Sequence, residues 1–160
     1  MKNNQLMIYG AYGYAGELMV REAVAQGLRP IIAGRDDEKL KPIATELSLE
    51  CRAFGVRNTG SNLQDISVLL NCAGPFSATA EPLARACLAQ QIHYLDITGE
   101  IDIFRKCHAL DEEARQQYVL ILPGAGTDIV PTDCLAAMLK EKLPVATRID
   151  LALSFGTNPS

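Results

Sequence analysis

The stretch LMIYGAYGYAGELM, residues 6–19, sets a short apolar run directly against three evenly spaced glycines, Gly10, Gly13 and Gly16. Residues 5–9 read as a strand. Residues 15–26 carry Leu18, Met19, Ala23 and Val24 at helical spacing, with Gly27 placed to end the helix. In a strand–glycine–helix unit of this kind, one glycine makes a tight turn and a second lets the backbone approach a pyrophosphate. A third lets helix and strand pack closely, and the phosphates rest on the open amides of the helix N-terminus. The spacing here is G-x-x-G-x-x-G rather than the commoner G-x-G-x-x-G, and glycines also serve plain turns. The surroundings of the motif therefore decide its meaning.

Outward from it, the same unit repeats. A strand at residues 30–33 precedes a helix opened by Asp36 and Asp37, with Leu40, Ile43 and Leu47 on one face and Pro42 placed to kink it. A weaker strand follows at 51–56, then a polar stretch at 58–62. The run ISVLLNCAG, residues 66–74, is apolar almost throughout, as a strand covered by helices on both faces should be. Helix 80–90, strand 93–97, helix 103–117 and strand 118–122 complete the series, and helix 131–143 follows, stopped by Pro144. The expected fold is α/β, a Rossmann-type doubly wound parallel sheet of about six strands with helices on both faces and right-handed crossovers. A cofactor-binding domain is expected over residues 1–146. The alternating RIDLALSF, which begins at Arg148, makes 147–160 the expected first strand of a following, truncated domain.

Composition limits the function classes. The chain has 160 residues, 48% hydrophobic and 21% charged, which suits one globular domain with a real core. The net charge of -4, without a Lys/Arg run, leaves no electrostatic footprint for nucleic acid or an anionic membrane. No apolar run approaches the roughly 18 residues of a membrane span. The N-terminal apolar stretch behind Lys2 is interrupted by Glu17 and Arg21 and does not read as a signal peptide. The five cysteines are scattered and form no C-x-x-C pair, so they read as reduced, and a cytoplasmic location is expected.

The end of the second strand speaks to cofactor choice. NAD is gripped through its ribose hydroxyls by an acidic residue about 20 positions past the glycines. Here Gly34 and Arg35 stand in that place. A planar guanidinium suits the 2′-phosphate of NADP, so NADP is expected, with NAD as the alternative. Such a contact, worth about 1.5–3 kcal/mol, would shift affinity by about 10- to 150-fold. The competing reading pairs Arg35 with Asp36, Asp37 or solvent; Lys39, one helical turn on, is a weaker second candidate.

Ligands of open α/β sheets bind beyond the carboxyl ends of the strands. The candidate cofactor residues are Gly10, Tyr12, Gly13, Tyr14 and Gly16 of the glycine turn, Arg35, and Asn71, Cys72, Ala73, Gly74 and Pro75 after the fourth strand. On the substrate side stand Thr98 and Glu100, beside Asp96, and Asp128, with Asp133 nearby. These carboxylates could orient a substrate amine or carry a proton, but Asp128, Thr132 and Asp133 equally suit helix capping, the favoured reading for them. No catalytic residue is assigned. His93 and His108 read as structural or solvent-facing, and no metal is expected.

Five motifs in order, GAYGYAG, AGRDDEKL, VLLNCAGPF, YLDITGE and GAGTDIVPTDCLA, resemble the NADP-binding domain of saccharopine dehydrogenase-like oxidoreductases, a group that includes trans-acting enoyl reductases. The resemblance covers nearly the whole chain. It implies a nicotinamide-dependent oxidoreductase acting on a small-molecule substrate, with NADP held through Gly10, Gly13, Gly16, Arg35 and the 72–75 turn. It also implies a second domain across a cleft, so that this chain alone would bind cofactor without turning over. One departure stands out: Gly126-Thr127-Asp128 occupies the place where many relatives carry G-F-D. The glycine spacing also resembles short-chain dehydrogenases, but no Tyr here has a Lys four residues on. Nucleophile-elbow, phosphate-loop and zinc-protease motifs are missing as well. The rival reading from another class is a non-catalytic NADP-binding module that senses redox state or regulates a partner. Homo-oligomerisation is left open.

Overall fold

Strands and helices alternate along the computed structural model of the protein, which describes residues 5–127 and 129–152. In chain order they are β1 (Leu6–Tyr9), α1 (Tyr14–Ala25), β2 (Ile31–Gly34), α2 (Asp37–Leu47), β3 (Cys51–Ala53), β4 (Val68–Asn71), α3 (Phe76–Ala89), β5 (His93–Asp96), α4 (Ile101–His108), α5 (Asp111–Gln116), β6 (Ile121–Leu122) and α6 (Val130–Lys142), with a 3-10 turn at Gly60–Leu63. The strands form one six-stranded sheet in the order β3-β2-β1-β4-β5-β6, every pair parallel. This is the expected doubly wound Rossmann sheet. The strand order reverses between β1 and β4, and that switch point opens a crevice beyond their carboxyl ends.

The two-residue strand period divides the core. Met7, Tyr9, Ile31, Ala33 and Leu69 face one side, where Leu83 and Cys87 of α3, Ile103 of α4 and Ala114 of α5 cover them. Ile8 and Ile32 face the other and pack with Val20 and Ala23 of α1 and Leu40 and Ile43 of α2. Because β1, β2 and β4 are covered twice, their sequences run apolar instead of alternating. The helix stops follow local chemistry: Gly27 takes φ +82 beyond α1, and Asp36 caps α2 by accepting from the amides of Glu38 and Lys39.

Several boundaries differ from the sequence reading. The helix expected over 103–117 is two, α4 and α5, because Leu110 turns inward to a buried position between them. The strand expected from residue 118 shortens to Ile121–Leu122: Tyr118, with φ +58 and 91% exposed, ends the preceding helix rather than starting a strand. Helix α3 starts at Phe76, directly after Pro75, four residues ahead of its apolar pattern. Helix α2 is continuous through Pro42. Ahead of α6 the N-cap position is held by Ile129, which makes no side-chain bond to the helix, and the Thr132 hydroxyl donates to the Ile129 carbonyl. Asp128 lies outside the described residues. So does the latter part of the expected strand in 147–160, and residues 148–152 carry no regular structure.

Helix α6 buries none of its residues. Among the described residues no helix is long and apolar enough to cross a membrane.

Candidate functional site

The three glycines of the opening motif do three different things. Gly10 has φ +84, and a Cβ there would lie 2.7 Å from the Ala73 nitrogen, so the turn after β1 sits backbone to backbone on the turn after β4. Gly13 stands at the N-cap of α1 and supplies no side-chain bond to the helix. A Cβ on Gly16 would strike the Gly10 carbonyl oxygen, which is why the helix can approach the turn so closely. The amides of Gly10 and Ala11 both donate to the Ala33 carbonyl, at 2.7 and 3.1 Å, and so fix the turn against β2.

A cavity of about 240 Å³ opens at this place, lined by Tyr9, Gly10, Tyr12, Gly13, Gly34, Arg35, Val56, Cys72, Ala73, Gly74, Pro75, Ala78 and Thr79. Eight of the residues marked in the sequence meet here: Gly10, Tyr12, Gly13, Arg35, Cys72, Ala73, Gly74 and Pro75. Tyr14 does not line it and is 72% exposed; Gly16 acts from behind, through packing. Asn71 is fully buried and turned away from the cavity, toward protein partners. Tyr9, Val56, Ala78 and Thr79 were not legible as site residues, since each sits within an otherwise ordinary strand, loop or helix pattern.

At the end of β2 the structure separates Arg35 from the acids beside it. Asp36 is occupied as the α2 cap and lies 3.7 Å from Lys39; Asp37 and Glu38 both pair with Lys41, at 2.7 and 2.9 Å. Arg35 is exposed and, among the described residues, makes no ion pair. Beside it the Tyr12 ring covers Gly34, where a Cβ would lie 2.5 Å from the ring, and the Lys39 ammonium stands 5.6 Å from the ring centroid. An unpaired guanidinium, a nearby ammonium and an aromatic face make a cationic shelf suited to an anionic, flat ligand.

The donor set fits a dinucleotide. Helix α1, and helix α3 behind Pro75, both begin without a side-chain cap, whereas α2, the neighbour that does not open on the cavity, is plugged by Asp36. Open helix amides, bare glycine backbone and a free guanidinium would serve the pyrophosphate and the 2′-phosphate. The one thiol in the cavity, Cys72, is pushed up to about 12 by burial and by the Asp96 carboxylate, so it stays neutral.

The substrate-side candidates behave differently. Asp96 and Thr98 are buried, at 0% and 1% exposure. Asp96 therefore cannot meet a substrate directly; its carboxylate accepts from the Tyr94 hydroxyl and from the amides of Thr98 and Gly124. Thr98 turns its hydroxyl to the Glu100 amide, and only Glu100, at the N-terminus of α4, is exposed. His93 is structural, its Nδ1 accepting from the Leu120 amide at 3.0 Å.

Comparison with known proteins agrees with this geometry. The family described as the saccharopine dehydrogenase NADP binding domain matches residues 6–122. A saccharopine dehydrogenase-like oxidoreductase of Rattus norvegicus is 27% identical over 152 residues, covering 81% of this chain and 35% of that protein. A Mycobacterium tuberculosis protein named as a trans-acting enoyl reductase is 27% identical over 145 residues, 80% of this chain and 33% of its own. A Caenorhabditis elegans relative named lipid droplet localized protein is 23% identical, over 88% of this chain and 37% of its own. The chain thus spans about a third of the length of these relatives. Among solved structures, apo saccharopine dehydrogenase (L-Glu forming) of Saccharomyces cerevisiae superposes with a TM-score of 0.73 at 12% identity, over 87% of this chain and 31% of that one.

Proposed function

Because the chain belongs to the saccharopine dehydrogenase NADP-binding family, we propose that it is the cofactor-holding part of an oxidoreductase that moves hydride between NADP and a small-molecule substrate. The observation that carries this is the convergence of Gly10, Arg35 and the 73–75 turn, from the ends of β1, β2 and β4, on one cavity at the switch point of the sheet. The nicotinamide, when bound, supplies or accepts the hydride. The chain's own residues do the holding: amides at the start of α1 for the pyrophosphate, Arg35 for the 2′-phosphate, and the small-residue turn after β4 as a wall without bulk. On the β5 side Glu100 offers an exposed carboxylate to an approaching substrate, and the buried Thr98 holds the Glu100 amide. Reduced, largely buried cysteines favour a cytosolic setting.

The test is a titration with NADPH and with NADH at one salt concentration, repeated on Arg35→Ala. The chain has no tryptophan, so the fluorescence of the reduced nicotinamide reports binding directly. NADPH should bind tighter, and the substitution should cost about 10- to 150-fold in NADPH affinity with little change for NADH. Equal affinity for the two nucleotides in the parent protein would refute the role given to Arg35. Absence of binding by either would refute the cofactor reading.

A further inference from the structure

Building on the NADP reading, we propose that Asn71, Tyr94 and Asp96 are positioning residues: a buried relay that ties the cofactor turn after β4 to the loops after β5 and β6. All three side chains are 0% exposed. Asn71 and Asp96 are register partners at the carboxyl ends of β4 and β5, and Tyr94 lies two residues before Asp96 on the same strand face. The bonds run in one line. Asn71 Nδ2 donates to the Tyr94 hydroxyl at 3.1 Å, and that hydroxyl donates to Asp96 Oδ2 at 2.9 Å. Asp96 Oδ1 then accepts the amides of Thr98 and Gly124, each at 3.0 Å.

The other end of the line grips the cofactor turn. Asn71 Oδ1 accepts the Ala73 amide at 3.0 Å, and Thr79, itself bonded to Asn71 Nδ2, donates to the Ala73 carbonyl at 2.6 Å. Ala73 is thus held by both its backbone groups, and Ala73 is what Gly10 packs against. Every outer bond of the relay ends on backbone of a loop or turn at the carboxyl edge of the sheet, where cofactor and substrate meet.

The chemistry of the relay favours one state. A buried carboxylate is tolerated only when fully bonded, and among the described residues no buried side-chain polar atom lacks a partner. Burial, reinforced by the Asp96 charge, pushes the Tyr94 hydroxyl far above its ordinary range, so it remains a donor. Apolar side chains could fill the same space without that demand, but they would not couple three loops. A ligand that orders the Ala73 turn should therefore also order the Thr98 and Gly124 amides, although it need not touch them.

Tyr94→Phe keeps the ring and removes the bridging oxygen. Amide hydrogen exchange is read residue by residue, with and without saturating NADPH, in the parent chain and in the variant. In the parent, NADPH should slow exchange at the glycine turn, at Ala73, and by about fivefold or more at Thr98 and Gly124. In the variant the glycine turn should still respond, while the Thr98 and Gly124 response should fall to within about twofold of none. Retained protection at Thr98 and Gly124 in the variant would overturn the relay, even if its melting temperature drops, since a purely structural tyrosine would lower stability without changing this pattern. A parent protein that responds at the glycine turn but not at Thr98 and Gly124 would also overturn it. No response anywhere in the parent would instead refute the cofactor reading on which the relay rests. Should Tyr94→Phe not fold, the half-buried Thr79 gives the second variant pair: Thr79→Val should lose the distant protection and Thr79→Ser should keep it, and loss or retention in both would overturn the proposal.

Discussion

Gly16→Ala pits helix propensity against packing. On propensity alone, alanine inside α1 should stabilise the protein by about 1 kcal/mol. The structure reverses the sign: the new Cβ would strike the Gly10 carbonyl oxygen, and would lie 2.8 Å from the Gly10 carbonyl carbon and 3.0 Å from the Ala11 Cα. A carbon atom needs roughly 3.5 Å, so turn and helix must separate by on the order of 1 Å. Overpacking of this kind costs about 1–3 kcal/mol, leaving a net loss of about 1 kcal/mol and a melting temperature lower by about 2–4 °C. The same displacement moves the α1 amides away from the glycine turn, where the proposed function puts the pyrophosphate. Losing one charge-assisted bond there weakens NADPH by about 10- to 150-fold. Thermal melting and an NADPH fluorescence titration on the same samples measure both effects. Gly27→Ala is the control: it has nothing within 4 Å but φ +82, so it should cost about 1–2 kcal/mol of stability and leave NADPH affinity unchanged. A Gly16→Ala protein that melts higher and binds NADPH as the parent does would refute the assigned packing role.

Asp36→Ala should remove the α2 cap and cost about 1 kcal/mol, visible as a lower urea midpoint; an unchanged midpoint would mean that Asp36 does not cap the helix in solution. The buried thiols set an alkaline limit, burial pushing Cys72 and Cys87 up to about 12 and Cys107 up to about 11. The unfolded chain releases these protons near pH 8.5 and the folded chain keeps them, so their contribution is complete below that pH and is lost as pH rises toward 11–12. The loss should reach about 1.4 kcal/mol per pH unit for each retained proton, and melting temperatures from pH 7 to 10.5 that stay level or rise would contradict it.

Much of the fold was readable because its signals are local or periodic. The apolar run of β4 announced a strand covered on both faces, and Gly10, Gly13 and Gly16 announced the tight turn between β1 and α1. Arg35 could be marked because cofactor choice depends on the residue type at one place, the end of β2. Other features depend on partners distant in the chain. Nothing around Leu110 says that it turns inward and splits a helix in two, because that choice is made by the core it enters. Asp96 looked like a substrate-side carboxylate in YLDITGE, and only the arrival of Tyr94 and the Gly124 loop makes it an inward-facing anchor. Thr79 and Val56 join the site because β3 and β4 end, and α3 begins, beside the glycine turn, not because of their neighbours in sequence.

The sequence by itself determined the alternation of strands and helices, the glycine turn and the cation beside it, since steric freedom, periodic burial and charge type belong to single residues and short spacings. The tertiary structure decided which of these line the cavity at the switch point and which bond to each other. Among the described residues it left Arg35 without an acid partner, engaging Asp36 with helix amides and Asp37 with Lys41. It turned Asn71 and Asp96 inward, because hydrogen bonds between side chains far apart in sequence form only when folding brings their strands into register.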